Sequence, residues 1–265
     1  MSRVDWKSQT VVLTGASGGL GTQLAEQLSA KRAKLLLLGR SKPELCALAE
    51  RLHQDYFVVD LRENDAVTKL RAFIEQQNLD ITGLINNAAT THEGLFEETE
   101  VEDIQRVIAT NLTVPLTLIH SLLPQLRASH GWVMNIGSVF GAIGFPGQTL
   151  YCASKFGLRG FGEALHRELE SDDVQILHCA PRAIQTQLNK GVIQRLNQQL
   201  KASADKPEWV AKQIIHQIEQ QQPLKTLGWP EKLFTRLNGL LPELVNGSMK
   251  KPRALLHQLI KEKSL

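Results

Sequence analysis

The run Thr10-Val11-Val12-Leu13-Thr14-Gly15-Ala16-Ser17-Gly18-Gly19-Leu20-Gly21 decides the fold of this 265-residue chain. Thr10–Thr14 is short, apolar and rich in β-branched residues, and reads as a strand. From Gly19 to Lys31 the leucines 20, 24 and 28 recur on one helical face. The glycines between them, spaced T-G-x-x-x-G-x-G, let backbone approach a pyrophosphate and let the helix pack close to the strand. The first helical amides then face the anion. A lone Gly-rich turn is weak evidence of binding; the strand before it and the helix after it give it weight.

The alternation continues outward. Strands are predicted at Lys34–Leu38, Tyr56–Val59, Ile81–Ile85, Gly131–Ile136 and Val174–Cys179, with Leu224–Leu227 as the last. Helices are predicted at Pro43–Leu52, Asn64–Gln77, Val101–Arg127 and Tyr151–Glu170. Near-continuous aliphatic strands are buried on both faces, which requires a parallel sheet with helices above and below. Right-handed crossovers make this a doubly wound, Rossmann-type α/β sheet of about seven mostly parallel strands. Residues 1–229 form one domain in this reading. Residues 230–265 form an amphipathic, basic helical extension, packed on the domain or peripheral to it.

Composition removes several classes. The chain is 42% apolar and 22% charged, which fits a globule with a full core. Cys46, Cys152 and Cys179 are too scattered for a disulfide framework, and His92, His120 and His178 have no metal-ligand spacing. No metal is expected. The start lacks the apolar core of a secretory signal. Gly131–Ser154 carries no charge, yet its five glycines and its polar residues make it unfit as a membrane span. A cytoplasmic protein is the expectation. Net charge is +3, and seven Lys/Arg against three Glu after residue 229 place the basicity in the tail. No nucleic-acid surface is read from the remainder.

Further motifs follow in a fixed order. Asp60-Leu61 closes the third strand and Asn86-Asn87-Ala88-Ala89 the fourth. Asn111 lies in the long helix, Ser138 follows the fifth strand, and Tyr151-Cys152-Ala153-Ser154-Lys155 reads Y-x-x-x-K. Pro181-Arg182-Ala183-Ile184-Gln185-Thr186 follows the sixth strand. Together these resemble the short-chain dehydrogenase/reductase family over about Gln9 to Thr186. The resemblance implies an oxidoreductase with a nicotinamide dinucleotide held by Gly15, Ser17, Gly19, Leu20, Gly21, Asp60, Leu61, Asn87, Ala88, Pro181, Ile184 and Thr186. It also implies a catalytic set of Asn111, Ser138, Tyr151 and Lys155. In that set Tyr151 is the proton donor and Ser138 orients the substrate oxygen. Lys155 binds the nicotinamide ribose and lowers the pKa of Tyr151, and Asn111 holds a relay water. The i, i+4 spacing of Tyr151 and Lys155 independently puts both on one helical face. A non-catalytic dinucleotide-binding or regulatory protein on the same fold is the alternative.

Two departures bear on the site, since Ala89 and Arg182 stand where the family has glycine. Arg182 is expected to put a cation near the substrate mouth. NAD-specific members carry an acid at the tip of the second strand, whereas this chain has Gly39-Arg40-Ser41. Arg40 can pair with a 2′-phosphate, with Ser17 and Ser41 as further donors, so NADP(H) and carbonyl reduction are expected. Phe140, Ile143, Phe145, Ile184 and Leu188 offer an apolar lining for a ketone, aldehyde or acyl-type substrate, under a cover formed by Gln187–Lys206. A homodimer or homotetramer is expected through the Val101–Arg127 and Tyr151–Glu170 helices. Leu158, Phe161, Leu165 and Leu169 stripe the second of these, facing either a partner or the sheet. In the tail, leucines at 233, 237, 240, 241 and 244 precede a second helical stretch beyond Pro252. Interleaved Lys250, Lys251, Arg253, Lys261 and Lys263 make membrane contact an alternative to packing on the domain.

Overall fold

The computed structural model describes residues 4–169, 174–188 and 191–263. Its strands are β1 (Thr10–Thr14), β2 (Lys34–Gly39), β3 (Asp55–Val58), β4 (Gly83–Asn86), β5 (Trp132–Ile136), β6 (Gln175–Ala180) and β7 (Leu224–Thr226). They form one sheet in the order β3-β2-β1-β4-β5-β6-β7, and every pairing is parallel. The expectation of a mostly parallel sheet therefore sharpens to a wholly parallel one. Strand order reverses between β1 and β4, which opens a crevice at the carboxyl ends of the strands.

The period-2 geometry of a strand divides the core. Val11 and Leu13 pack on one face against α1 (Gly19–Ala30), α2 (Lys42–Leu52) and α8 (Pro207–Glu219). Val12 points the other way, into a cluster with α3 (Ala66–Gln76), α5 (Val114–Ala128) and α6 (Thr149–Glu168). Phe161, Leu165 and Leu169 of the stripe belong to this second cluster, and Leu158 is buried. These three face the sheet, so the stripe does not supply a subunit contact. The expected end of that helix, Glu170, lies outside the described residues.

The long helix is continuous but not uniform. α4 (Val101–Ile108) passes through a π-turn at Ala109–Thr113 into α5. Residues 101–128 are long and apolar enough to cross a membrane, yet Leu118, Ile119, Leu122 and Leu126 are buried against the sheet. Beyond β6, α7 (Gly191–Gln199) packs its Val192, Ile193 and Leu196 against Leu256 and Leu259 of α11 (Lys250–Lys263). Between them come α9 (Glu231–Leu240) and α10 (Pro242–Ser248). Pro242 opens α10, as the missing amide of a first-turn proline permits. Pro252 lies in the first turn of α11 rather than ahead of it.

Candidate functional site

β1 ends in a hub. Thr14 Oγ1 accepts the backbone N–H groups of Asn87 (3.0 Å) and Ala88 (2.9 Å) and donates to the Ile85 carbonyl. The Asn87 amide donates to the carbonyls of Thr14 and Gly15, locking the ends of β1 and β4 together. Gly15 has φ +63°, and a Cβ on it would lie 2.9 Å from Ala88 Cα. A Cβ on Gly21 would stand 2.1 Å from the Gly15 carbonyl oxygen. Neither position admits a side chain, so backbone lines this end of the crevice. Ala89 has no positive φ, and its alanine is conformationally ordinary.

These residues open onto a cleft of about 1220 Å³. At its outer end lie Ser17, Arg40 and Ser41, beside Asp60 and Leu61. Asp60 is held by Arg62, whose Nε is 3.0 Å from Oδ1, and this guanidinium pulls the carboxyl down to about 2. Arg62 also lines the cleft and was not read from the sequence. No motif marks it, but its position two residues after the strand-closing Asp60 could have done so. Thr186 closes over the glycine loop, its methyl 3.0 Å from a Cβ built on Gly19.

Ser138, Tyr151 and Lys155 converge farther in. Ser138 lies two residues past β5 and caps the next turn, its Oγ accepting from Phe140 N at 3.1 Å. Tyr151 and Lys155 share a face of α6, and Lys155 Nζ donates to the Ile136 carbonyl at 2.8 Å. Burial pushes Lys155 down to about 8 and Tyr151 up to about 12, while the Ser138 hydroxyl draws Tyr151 partly back. In the protein alone burial is the largest influence on Tyr151 and sets the direction of its shift. Nζ stands 5.7 Å from the ring centroid, and one of its three N–H groups donates to a carbonyl.

Asn111 is placed differently from the other three. It is fully buried on the π-turn and is not part of the cleft wall. Its amide donates to the Thr90 carbonyl (2.8 Å) and to Ser154 Oγ (3.0 Å), and Ser154 Oγ donates to the Tyr151 carbonyl (2.8 Å). Its Oδ1 accepts from Thr90 N. A π-turn changes which residues face inward, a device common at functional sites.

The apolar end is walled by Phe140 and Phe145, stacked at 4.8 Å, with Ile143, Ile184 and Leu188. Ile193, Asn197 and Leu200 of the α7 region, within the segment expected to form a cover, also line it. Phe234, Val245 and Met249 complete the mouth from α9, α10 and the residue after it, so the tail packs on the domain at the cleft. The polar wall of Thr90, Thr91, Arg106 and Gln148 was missed in the sequence. Arg182 lines the cleft, and its charge there is paired. Its guanidinium grips Asp205 at 3.0 and 2.8 Å, donates to the Trp229 carbonyl and faces Glu231. Opposite charge neutralises it, and its work is to tie three segments together.

A wholly parallel, doubly wound sheet with a glycine loop at its switch point defines the Rossmann class. Residues 9–197 match the family described as short chain dehydrogenase, and the chain belongs to that family of oxidoreductases. Nodulation protein G of Rhizobium sp. (strain N33) is 37% identical over 180 residues, covering 66% of this chain and 73% of that one. The 3-oxoacyl-[acyl-carrier-protein] reductase FabG of Chlamydia trachomatis serovar D is 30% identical over 234 residues, 85% and 87% of the two chains. Among solved structures, the Sphingobium yanoikuyae short-chain dehydrogenase in complex with NADPH superposes with TM-score 0.77. It has 24% identity and covers 90% of this chain and 95% of that one. An enzyme of the family from Burkholderia phymatum in complex with NAD reaches 0.82 at 19% identity, with 91% and 96% covered.

Proposed function

We propose that the protein reduces a carbonyl compound to an alcohol with NADP(H). The substrate is a ketone, aldehyde or 3-oxoacyl-type molecule with an apolar body. The observation that carries this reading is the convergence of Ser138, Tyr151 and Lys155 between the Gly15–Gly21 loop and the apolar wall of one cleft. The side-chain-free backbone at Gly15 and Gly21 fits a dinucleotide pyrophosphate. Arg40, Ser17 and Ser41 would hold a 2′-phosphate. NADPH, when bound, supplies the hydride.

The chain's own groups manage the proton. A phenol pushed up to about 12 is fully protonated at neutral pH, so Tyr151 can donate as negative charge grows on the substrate oxygen. Ser138 hydrogen-bonds that oxygen and aims it at Tyr151. Lys155, still mostly charged at pH 7 with a pKa of about 8, lies behind Tyr151 and within reach of a nicotinamide ribose. Asn111 acts one layer farther back, positioning Thr90 and Ser154. The reduction for which the Chlamydia trachomatis 3-oxoacyl-[acyl-carrier-protein] reductase is named suits the same chemistry. The extension from residue 230 belongs to the site as part of its mouth, and the protein functions as a cytoplasmic homo-oligomer.

Tyr151→Phe tests the assignment. Turnover of NADPH over a panel of ketones and acyl thioesters should fall ~10²–10⁴-fold, the usual worth of a positioned acid. NADPH binding, followed by fluorescence, should stay within a few-fold because the ring is kept. More than about a tenth of the activity surviving would remove Tyr151 from the acid role. A wild-type protein that binds NADPH yet turns over nothing on the panel would favour a regulatory protein instead.

A further inference from the structure

Six large apolar side chains between residues 229 and 244 face outward: Trp229, Leu233, Phe234, Leu240, Leu241 and Leu244. Leu240 is 80% exposed, Trp229 68% and Leu244 62%. Soluble monomers rarely leave so much apolar surface together. Five cations accompany it, Lys232 and Arg236 on α9 and Lys250, Lys251 and Arg253 at the start of α11, all exposed. Among residues 229–255 Glu243 is the one exposed carboxylate, because Glu231 is turned toward Arg182. The same segment frames the cleft, through Phe234, Val245, Ser248, Met249 and Pro252.

We propose that the α9–α10 face docks on an anionic phospholipid bilayer and that the cleft takes its carbonyl substrate from that bilayer. The substrate half rests on the reductase reading above; the docking half does not. Charge decides the occupant. In a two-fold contact with a second copy the five cations would face one another across an apolar patch. Anionic headgroups complement them instead, while the leucines and Trp229 enter the boundary between headgroups and acyl chains. Each Lys or Arg near such a surface raises binding ~5-fold, and high salt removes most of that gain. The cleft mouth then opens onto the membrane, where a poorly soluble carbonyl compound is concentrated.

The test is sedimentation of the full chain with vesicles of phosphatidylcholine alone or mixed with phosphatidylglycerol, at low and high salt. The protein should pellet with the mixed vesicles at low salt, weaken at high salt and stay free of the neutral ones. Leu240→Asp with Leu244→Asp, neither of which lines the cleft, should abolish pelleting while reduction of a small soluble ketone is unchanged. Lys250→Glu with Lys251→Glu should weaken pelleting at least ~10-fold. Equal binding to neutral vesicles, or binding to neither, would overturn the docking. So would a Leu240→Asp, Leu244→Asp protein whose only change is a smaller assembly by light scattering. Vesicle binding without turnover of any carbonyl would leave the docking standing and sink the reductase reading instead.

Discussion

Arg40 is the residue on which the cofactor reading turns. It stands at the tip of β2 on the cleft wall, with Ser41 beside it and Ser17 close to Gly39. Replacing it by an acid substitutes repulsion of a 2′-phosphate for a charge-assisted bond of ~1.5–3 kcal/mol, about 10- to 150-fold. Arg40→Asp should therefore move the ratio of kcat/KM for NADPH over NADH toward NADH by at least that factor. An unchanged ratio would show that Arg40 does not read the phosphate and would turn attention to Arg62. At this scale the sequence was most legible where a motif is local. Gly15, Gly21, Tyr151 and Lys155 each announce themselves through spacing. Arg182 did not, because its partners Asp205 and Glu231 lie 23 and 49 residues away, and no local pattern reports such a pairing.

Among the elements, strands were predicted closely because a buried parallel strand has almost no other composition open to it. What the pattern of apolar residues could not show is the polar row that crosses them. Asn86, Asn135 and His178 are in register on β4, β5 and β6. The Asn86 amide donates to Asn135 at 2.9 Å, and neither ring nitrogen of His178 has a partner among the described residues. Gly137 makes the room: a Cβ there would fall 2.2 Å from His178 Nε2. Burial, with Lys155 and Arg159 nearby, pushes His178 down to about 3. The folded protein then binds no proton here while the unfolded chain titrates near the ordinary histidine value, ~6.5. Stability from this site is complete above that value and is lost as pH falls toward 3. Relative to a His178→Met variant, the wild type should lose about 2 kcal/mol between neutrality and pH 5, by urea unfolding. Parallel pH profiles for the two proteins would show that His178 is protonated in the fold.

The whole molecule sorts its surfaces by what their residues can tolerate. Leu158, Phe161, Leu165 and Leu169 could not be assigned to sheet or partner from spacing, since a helical stripe looks the same in both settings; the structure gives the last three to the sheet and buries Leu158. In the proposed homo-oligomer the subunit contact uses the opposite side of the helices. Phe156, 43% exposed on α6, and Val101, 60% exposed at the start of α4, are the large apolar side chains that remain there, and α4 packs against α6. Burying such a pair across a two-fold axis removes apolar surface that water otherwise covers, and it does so twice for each contact. Light scattering should give two or four times the 29.5 kDa chain mass. Phe156→Glu should halve the assembly or reduce it to the monomer, because it places a charge opposite its own copy or against an apolar partner. A wild-type mass of one chain across micromolar concentrations would refute the assembly, and an unchanged mass in the variant would move the contact to another face.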